Sequence, residues 1–315
     1  MKRITASLAA IALLAGTAAL AEYPEKPVTI VVPYGAGGGS DIMVRTVAPY
    51  IEKYLGDGAK VVVENRTGAS GIIGWQAVHD AKPDGYTIGV ITTPSIVTKP
   101  IEGKADFTWQ DFTIIANMVT DPAALNVKKG SQFTDIAGLV DYARENPKVV
   151  TMATGNFGGD DHLAGLQLEK LTGAEFTFVP FPGVAARNAT MGGHVAVGSF
   201  NLGEAVNYQD SIDILGIMAA RRSELAPEVP TLKEQGFDIV ASSQRGFAGP
   251  KGMPAEAVGK LSAAIAQAVN DPDFRKDAIN QGVVLDFADS ADFAAQLDAF
   301  DQAMRKIWAE SPWLE

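Results

Sequence analysis

Residues 31–45 read VVPYGAGGGSDIMVR, an apolar run that breaks into four glycines within five positions and then into a helix-like pattern. Strand, glycine turn and helix start, in that order, open an α/β sheet. The glycines leave main-chain amides bare at the point where the helix directs its positive end, which suits a phosphate or a carboxylate. The same alternation continues outward. KPVTIVVPY reads as a buried strand and residues 40–55 as a helix; AKVVVEN, TGASGIIGWQAVHDA and DGYTIGVITT follow as strand, loop with helix, and strand. FTIIANMVTDPAALNVKKG is a pair of extended segments joined through Asp121-Pro122. A second alternation then runs through a helix at 134–145, the strand KVVTMAT, the loop TGNFGGDD, the helix HLAGLQLEKLTG, the strand EFTFVPF, a helix from Val184 and the strand HVAVGSF. Val- and Ile-rich strands separated by helices predict mostly parallel sheets covered on both faces, here as two α/β lobes. Ligands in such sheets sit beyond the carboxyl ends of the strands. Three loops leave those ends in the first half, at 34–40, 65–71 and 92–95, all built of small or turn-forming residues. In DFAAQLDAFDQAMRKIW, the residues Phe293, Leu297, Phe300, Met304 and Ile307 form one apolar stripe, predicted to pack on a sheet.

The chain begins MKRITASLAAIALLAGTAALA, with Lys2 and Arg3 ahead of an apolar stretch and Ala19-Leu20-Ala21 in the small-x-small pattern of a cleavage site. This predicts a signal peptide over 1–21, removed after Ala21, and export to the periplasm. Export takes the protein away from ATP and nicotinamide pools. There is no cysteine in 315 residues, so stability rests on an ordinary core, for which 47% hydrophobic residues provide material. The formal charge of −11, more negative once Lys2 and Arg3 leave, speaks against nucleic acid as a partner. A small anion is still compatible if amides and helix N-termini supply local positive potential.

Enzyme motifs fail one by one. The glycine loop has no lysine for a phosphate-binding Walker loop, and Gly35, Gly37 and Ser40 meet G-x-G-x-x-G only loosely, with Glu64 where a ribose-binding acid would stand. TGASGI places Ile72 where a nucleophile elbow needs glycine. His79, His162 and His194 include no H-E-x-x-H pair. Asp160, Asp161 and His162 are consecutive and point in different directions, which suits helix capping better than a metal. Asp41 and Arg45, four apart, read as a surface pair whose acid can also brace the glycine loop. No catalytic residue, cofactor or metal is expected.

Taken together, VVPYGAGGGSDIMVR, VVVENRTGASGIIG, KPDGYTIGV, the helix start HLAG, VPFPGVAARNATMGGHVAV and PEVPTLKEQGFD closely resemble the Bug or TctC family, the periplasmic substrate-binding proteins of tripartite tricarboxylate transporters. The resemblance implies a two-lobed periplasmic-binding-protein fold, a Venus flytrap of type II, with two extended interlobe crossings near 115–127 and 234–249. Lobe 1 would take 22–117 and 240–315, and lobe 2 would take 118–239. It also implies a monomeric, non-enzymatic receptor that closes on a small organic anion, a di- or tricarboxylate, and delivers it to a large multi-span permease with a small four-span subunit. Carried onto this sequence, the ligand loop of lobe 1 is Tyr34, Gly35, Gly37, Gly38, Gly39, Ser40 and Asp41, joined by Ala69, Ser70 and Thr92. Lobe 2 contributes Asn156, Gly158, Gly159, Asp160 and His162, with Ser199 and Asn201. Hydrogen bonds to a charged acceptor contribute about 1.5 to 3 kcal/mol each, so two or three provide most of a micromolar affinity of about 8 kcal/mol.

This chain departs from the common pattern where relatives carry small hydroxyl residues before the histidine and it carries Asp160 and Asp161. Either these acids face away and cap the helix, or the ligand bears a hydroxyl, amide or cationic group. Arg245, in SSQRGF, is either a hinge arginine or the partner of a distal carboxylate. A flytrap for an aromatic acid, an amino acid or an amide, and an exported α/β enzyme, stay open as alternatives.

Overall fold

The computed structural model describes residues 23–56, 58–181 and 184–314; the predicted signal peptide and its cleavage point lie outside them. The described elements run β1 (Val28–Val32), α1 (Gly39–Leu55), β2 (Val61–Asn65), α2 (Ile72–His79), β3 (Thr87–Thr92), α3 (Ser95–Ile101), β4 (Phe112–Lys128), α4 (Ile136–Glu145), β5 (Thr151–Thr154) and α5 (Asp160–Thr172). They continue with β6 (Thr177–Pro180), α6 (Ala185–Gly192), β7 (Val197–Asn201), α7 (Leu202–Ala205), β8 (Ile212–Ile217), β9 (Ser242–Pro250), α8 (Ala255–Asn270), α9 (Pro272–Asn280), β10 (Leu285–Asp289) and α10 (Ser290–Glu310).

The long strand β4 organises everything else. Its first half lies between β9 and β10, and its second half between β7 and β8. One sheet therefore runs β2-β1-β3-β9-β4-β10 and the other β6-β5-β7-β4-β8. In each, the βα-linked strands pair in parallel (β1 with β2 and β3, β5 with β6 and β7), and the crossing strands join antiparallel. The order is that of a doubly wound α/β sheet, twice.

The cores divide at the same place. Val28, Ile30 and Val32 of β1 pack with Met43, Val47 and Ile51 of α1, Leu261 and Ile265 of α8, and Phe274 of α9. Beyond the middle of β4, Leu125 and Val127 pack instead with Leu139 and Val140 of α4, Met152 of β5, Leu168 of α5 and Val197 of β7. Each such side chain contributes roughly 1.5–3 kcal/mol of burial, so both halves carry a core of their own. A third cluster, around Trp75, Ile91, Phe107, Phe293 and Leu297, takes in Leu163 of α5. The predicted stripe on α10 holds at Phe293, Leu297 and Met304 but not at its end, where Ile307 is 39% exposed. Trp308 replaces it, packing edge-on against Trp313 with ring centroids 4.6 Å apart. Among the described residues no helix is long and apolar enough to cross a membrane.

Candidate functional site

The turn between β1 and α1 is held from below. The Gly37 amide donates to Asp41 Oδ2 at 2.9 Å, and Arg45 Nε and Asn65 Nδ2 each donate to Asp41 Oδ1 at 2.9 Å. Asn65 also reaches Tyr34 O at 3.0 Å, tying the turn to the end of β2. Burial opposes ionisation of Asp41, but the Gly37 amide, Asn65 and Arg45 outweigh it and hold the carboxyl below its usual range. Gly37 has φ +79, a conformation that glycine adopts without strain, and Gly38 is extended. The result is a helix that starts with no side-chain cap. Among the described residues, the amides of Gly39, Ser40 and Asp41 have no acceptor, as in the first turn of any uncapped helix.

Arg245 lies against this helix start: a methyl group on Gly39 would stand 3.1 Å from its Cζ. The arginine projects from β9 in register with Thr92 of β3 on one side and Val119 of β4 on the other. Its Nη1 donates to Asp121 Oδ2 at 2.9 Å and its Nη2 to Asn201 Oδ1 at 3.1 Å. Asn201 Nδ2 in turn reaches Asp160 Oδ2 at 2.8 Å, and Asp121 Oδ1 accepts the Gly203 amide at 2.9 Å. On the near side the Tyr34 hydroxyl and Thr92 Oγ1 are 2.7 Å apart. Burial pushes the Tyr34 phenol up to about 12. Tyr34, Gly39, Thr92, Asn201, Arg245 and Asp160 thus meet at the crossing strands.

Three further residues join them that sequence reading passed over. Arg187 of α6 pairs with Glu204 of α7 at 2.8 Å and stacks over Tyr208, its Cζ 4.1 Å from the ring centroid. Arg187, Glu204 and Tyr208 face Gly37 and Gly39 across a cleft whose free space is about 40 Å³, room for ordered water rather than a dicarboxylate. Nothing local in the sequence marks Asp121, Arg187 and Glu204 as neighbours; only the wrapping of β7 and α7 around β4 brings them together.

Four carboxyls share this place. Burial pushes Asp121, Asp160, Asp161 and Glu204 all upward, Asp161 furthest because Asp160 and Glu204 add their repulsion. Burial also works against the charge of Arg245, but Asp121, Asp160 and Glu204 prevail and hold it protonated.

The rest of the second-lobe loop turns elsewhere. Gly155 N donates to Asp161 Oδ2 at 3.1 Å, Gly159 N to Asn156 O at 3.1 Å, and Gly158 N to His162 Nδ1 at 3.2 Å, while Ser199 Oγ donates to Asp161 O at 3.0 Å. Its carbonyls are held by α3: Thr98 Oγ1 donates to Gly158 O at 2.7 Å and Lys99 Nζ to Phe157 O at 2.6 Å. Lys99 also bonds both oxygens of Glu102 at 3.0 Å, and Glu102 receives Trp313 Nε1 at 2.8 Å and Lys104 at 3.0 Å. Gly158 is thereby tied to α3 and His162 to Gly158, and among the described residues neither hydrogen-bonds the cluster around Arg245. Ala69 and Ser70 lie exposed in a turn after β2, both at positive φ (46° and 56°), a strained stretch of the kind found at ligand-binding loops. Gly35 has open space around it.

His162 gives a pH prediction. Its Nδ1 accepts a hydrogen bond, so the neutral ring carries its proton on Nε2. Burial, with help from the charge of Lys99, holds the ring at about 4, below its ordinary 6.5. The stability owed to the neutral ring is complete above pH 6.5 and is lost as the pH falls through about 4. Melting temperatures measured across that window are expected to decline in the native chain and to decline less in His162→Asn, which keeps an acceptor but cannot titrate. Identical profiles would refute this account of the ring.

Comparison with known proteins places the chain. The family model for the tripartite tricarboxylate transporter family receptor, TctC, matches residues 43–307. A curated protein of Cupriavidus necator, from the gbd 5' region, is 31% identical over 280 residues, 87% of this chain and 84% of its own length. MatC of Rhodopseudomonas palustris, solved with bound malate, superposes with a TM-score of 0.81 at 25% identity, covering 90% of this chain and 99% of its own. A second R. palustris protein, solved with adipate, reaches a TM-score of 0.84 at 26% identity, covering 91% and 97%. The chain belongs to the TctC family of periplasmic solute-binding receptors and has its two-lobed α/β fold.

Proposed function

We propose that this TctC-family receptor captures a small organic anion, of the di- or tricarboxylate class, between two lobes and delivers it to the large permease and small four-span subunit of a tripartite transporter. The lobes would be 22–117 with 240–315, and 118–239, hinged at β4 and β9, in a monomer exported with its leader cleaved after Ala21. The observation that carries the reading is the uncapped start of α1, whose first amides have no acceptor among the described residues and whose Gly39 lies against Arg245 at a cleft lined on its far side by Arg187 and Glu204. A helix N-terminus with bare amides beside two guanidinium groups attracts a carboxylate. Malate and adipate in the two R. palustris proteins agree with that chemistry. The free space of about 40 Å³ means that a ligand enters an opened cleft. A ligand that bonds both sides favours closure through its differential affinity, and a membrane partner can sense closure.

The test is calorimetry on the whole chain with a panel of organic acids that includes malate and adipate, followed by Gly39→Pro and Gly39→Ala. Gly39 is the first helical residue, where proline is tolerated but carries no N–H, and the preceding Gly38 is already extended (φ −84, ψ 165). Alanine adds the same Cβ beside Arg245 and keeps the amide. Proline is expected to weaken binding about tenfold to a hundredfold more than alanine, the worth of one hydrogen bond to a charged group. Equal losses in the two variants would remove the amide from the site; no binding of any acid to the native chain would remove the function.

A further inference from the structure

The charges at the crossing do not balance. Asp121 is paired with Arg245 at 2.9 Å and Glu204 with Arg187 at 2.8 Å. Asp160 and Asp161 have no cation of their own among the described residues: their hydrogen bonds come from Asn201 Nδ2, the Gly155 amide and the first amides of α5. Asp160 thus lays a carboxyl of the protein itself over the N-terminus of α5, where a second ligand carboxylate would otherwise find its donors. Two buried atoms in the same region have no partner. Among the described residues they are Asp161 Oδ1, whose charged neighbours are Asp160, Glu204 and Arg245, and Arg187 Nε, in the wall of the cleft; each belongs to a residue only 9% exposed. One is an acceptor and the other a donor. Burial and mutual repulsion leave Asp160 and Asp161 disposed to take a proton or a cation rather than face a second carboxylate, while the donor and the bare amides of α1 attract an anion.

We infer that the ligand is a carboxylate that also bears a protonated nitrogen, with its carboxylate on the α1 amides beside Arg187 and its nitrogen on Asp160, which makes Asp160 the residue that selects against nitrogen-free acids. The inference rests on the receptor function proposed above and narrows its ligand class. Asn201 holds Asp160 in place while itself held by Arg245, so the carboxyl is oriented before the ligand arrives.

Calorimetry with matched pairs tests it: glutamate against glutarate and 4-aminobutyrate against butyrate, on the native chain and on Asp160→Asn and Asp160→Ser, each first shown to melt cooperatively. The amine-bearing member of at least one pair is expected to bind at least tenfold tighter to the native chain, and the preference should fall to about one or reverse in both variants. Equal or tighter binding of glutarate and butyrate by the native chain would overturn the inference and leave the receptor standing. An amine preference unchanged by either substitution would also overturn it. If no acid of either kind bound, the receptor function would fall, and this inference with it.

Discussion

Arg245→Met is expected to lower the unfolding free energy by about 3–5 kcal/mol at neutral pH, the cost of leaving a buried carboxylate without its cation. Asp121 is 1% exposed, and among its hydrogen bonds only the one from Arg245 comes from a charged donor. Burial pushes the Asp121 carboxyl up, and Arg245 is the main influence pulling it back. With the guanidinium gone, the folded-state pKa rises further above the unfolded value. A raised carboxyl destabilises the fold when ionised, so the penalty is full above the new pKa and disappears as the pH falls to the unfolded value. Denaturant titrations at pH 7 and pH 5 should therefore show a smaller loss at the lower pH. The double variant Asp121→Asn with Arg245→Met should recover a large part of it, because the unpaired charge carries the cost rather than the missing contact. A loss below about 1 kcal/mol, or one that ignores pH, would show that water reaches this pair. Because the pair ties β9 to β4, the strand shared by the two sheets, the same variant should also weaken ligand binding.

Much of this was legible in the sequence, for a physical reason. Strands such as VTIVV and VVVEN and the glycine turn after β1 declare themselves through local pattern, and β1, α1, β2 and β3 fall where periodicity puts them. The brace from Asp41 to the glycine loop was likewise readable, since four residues on a helix bring the carboxylate under its own N-terminus. The short strands β8 and β10 have weak alternation and draw their order from pairing with β4, so composition alone leaves them silent. Arg245 was recognisable as a residue near the predicted second crossing, but its partners were not: Asp121 lies 124 positions away and Asn201 lies 44 away. Arg187 and Glu204 belong to elements whose meeting depends on how the second sheet folds back on β4. Sequence reading placed the second-lobe loop at the ligand, but no motif announces the bonds that tie its Gly158 to α3 and to His162. Specificity written in carbonyls, amides and distant pairs is visible only once the chain has crossed itself.

That contact yields the other large effect. Lys99→Met is expected to destabilise the protein by about 3 kcal/mol, the low end for breaking a buried ion pair, because Glu102 keeps Lys104 and Trp313 as partners. The side chains of Lys99 and Glu102 are 3% and 0% exposed, so water cannot replace what is lost. Burial draws the Lys99 ammonium down, and Glu102 is the main influence that restores it. Lys99 is more than a structural pair, since its third acceptor is Phe157 O in the loop before α5, and Thr98 beside it holds Gly158 O. The chain end takes part as well, because Trp313 reaches the same carboxylate. Thr98→Val removes one of the two bonds to the loop without exposing a charge, and should cost only about 1 kcal/mol. If the two halves of the molecule swing apart when ligand leaves, these bonds exist only in the closed form, and both variants should enlarge the radius of gyration of the ligand-free protein in small-angle scattering. Glu102→Gln with Lys99→Met should return stability but not the compact shape, since the bond to Phe157 is still missing. A double variant that recovers both, or single variants as compact as the native chain, would confine the Lys99 cluster to stabilising α3 and leave closure to the cleft itself.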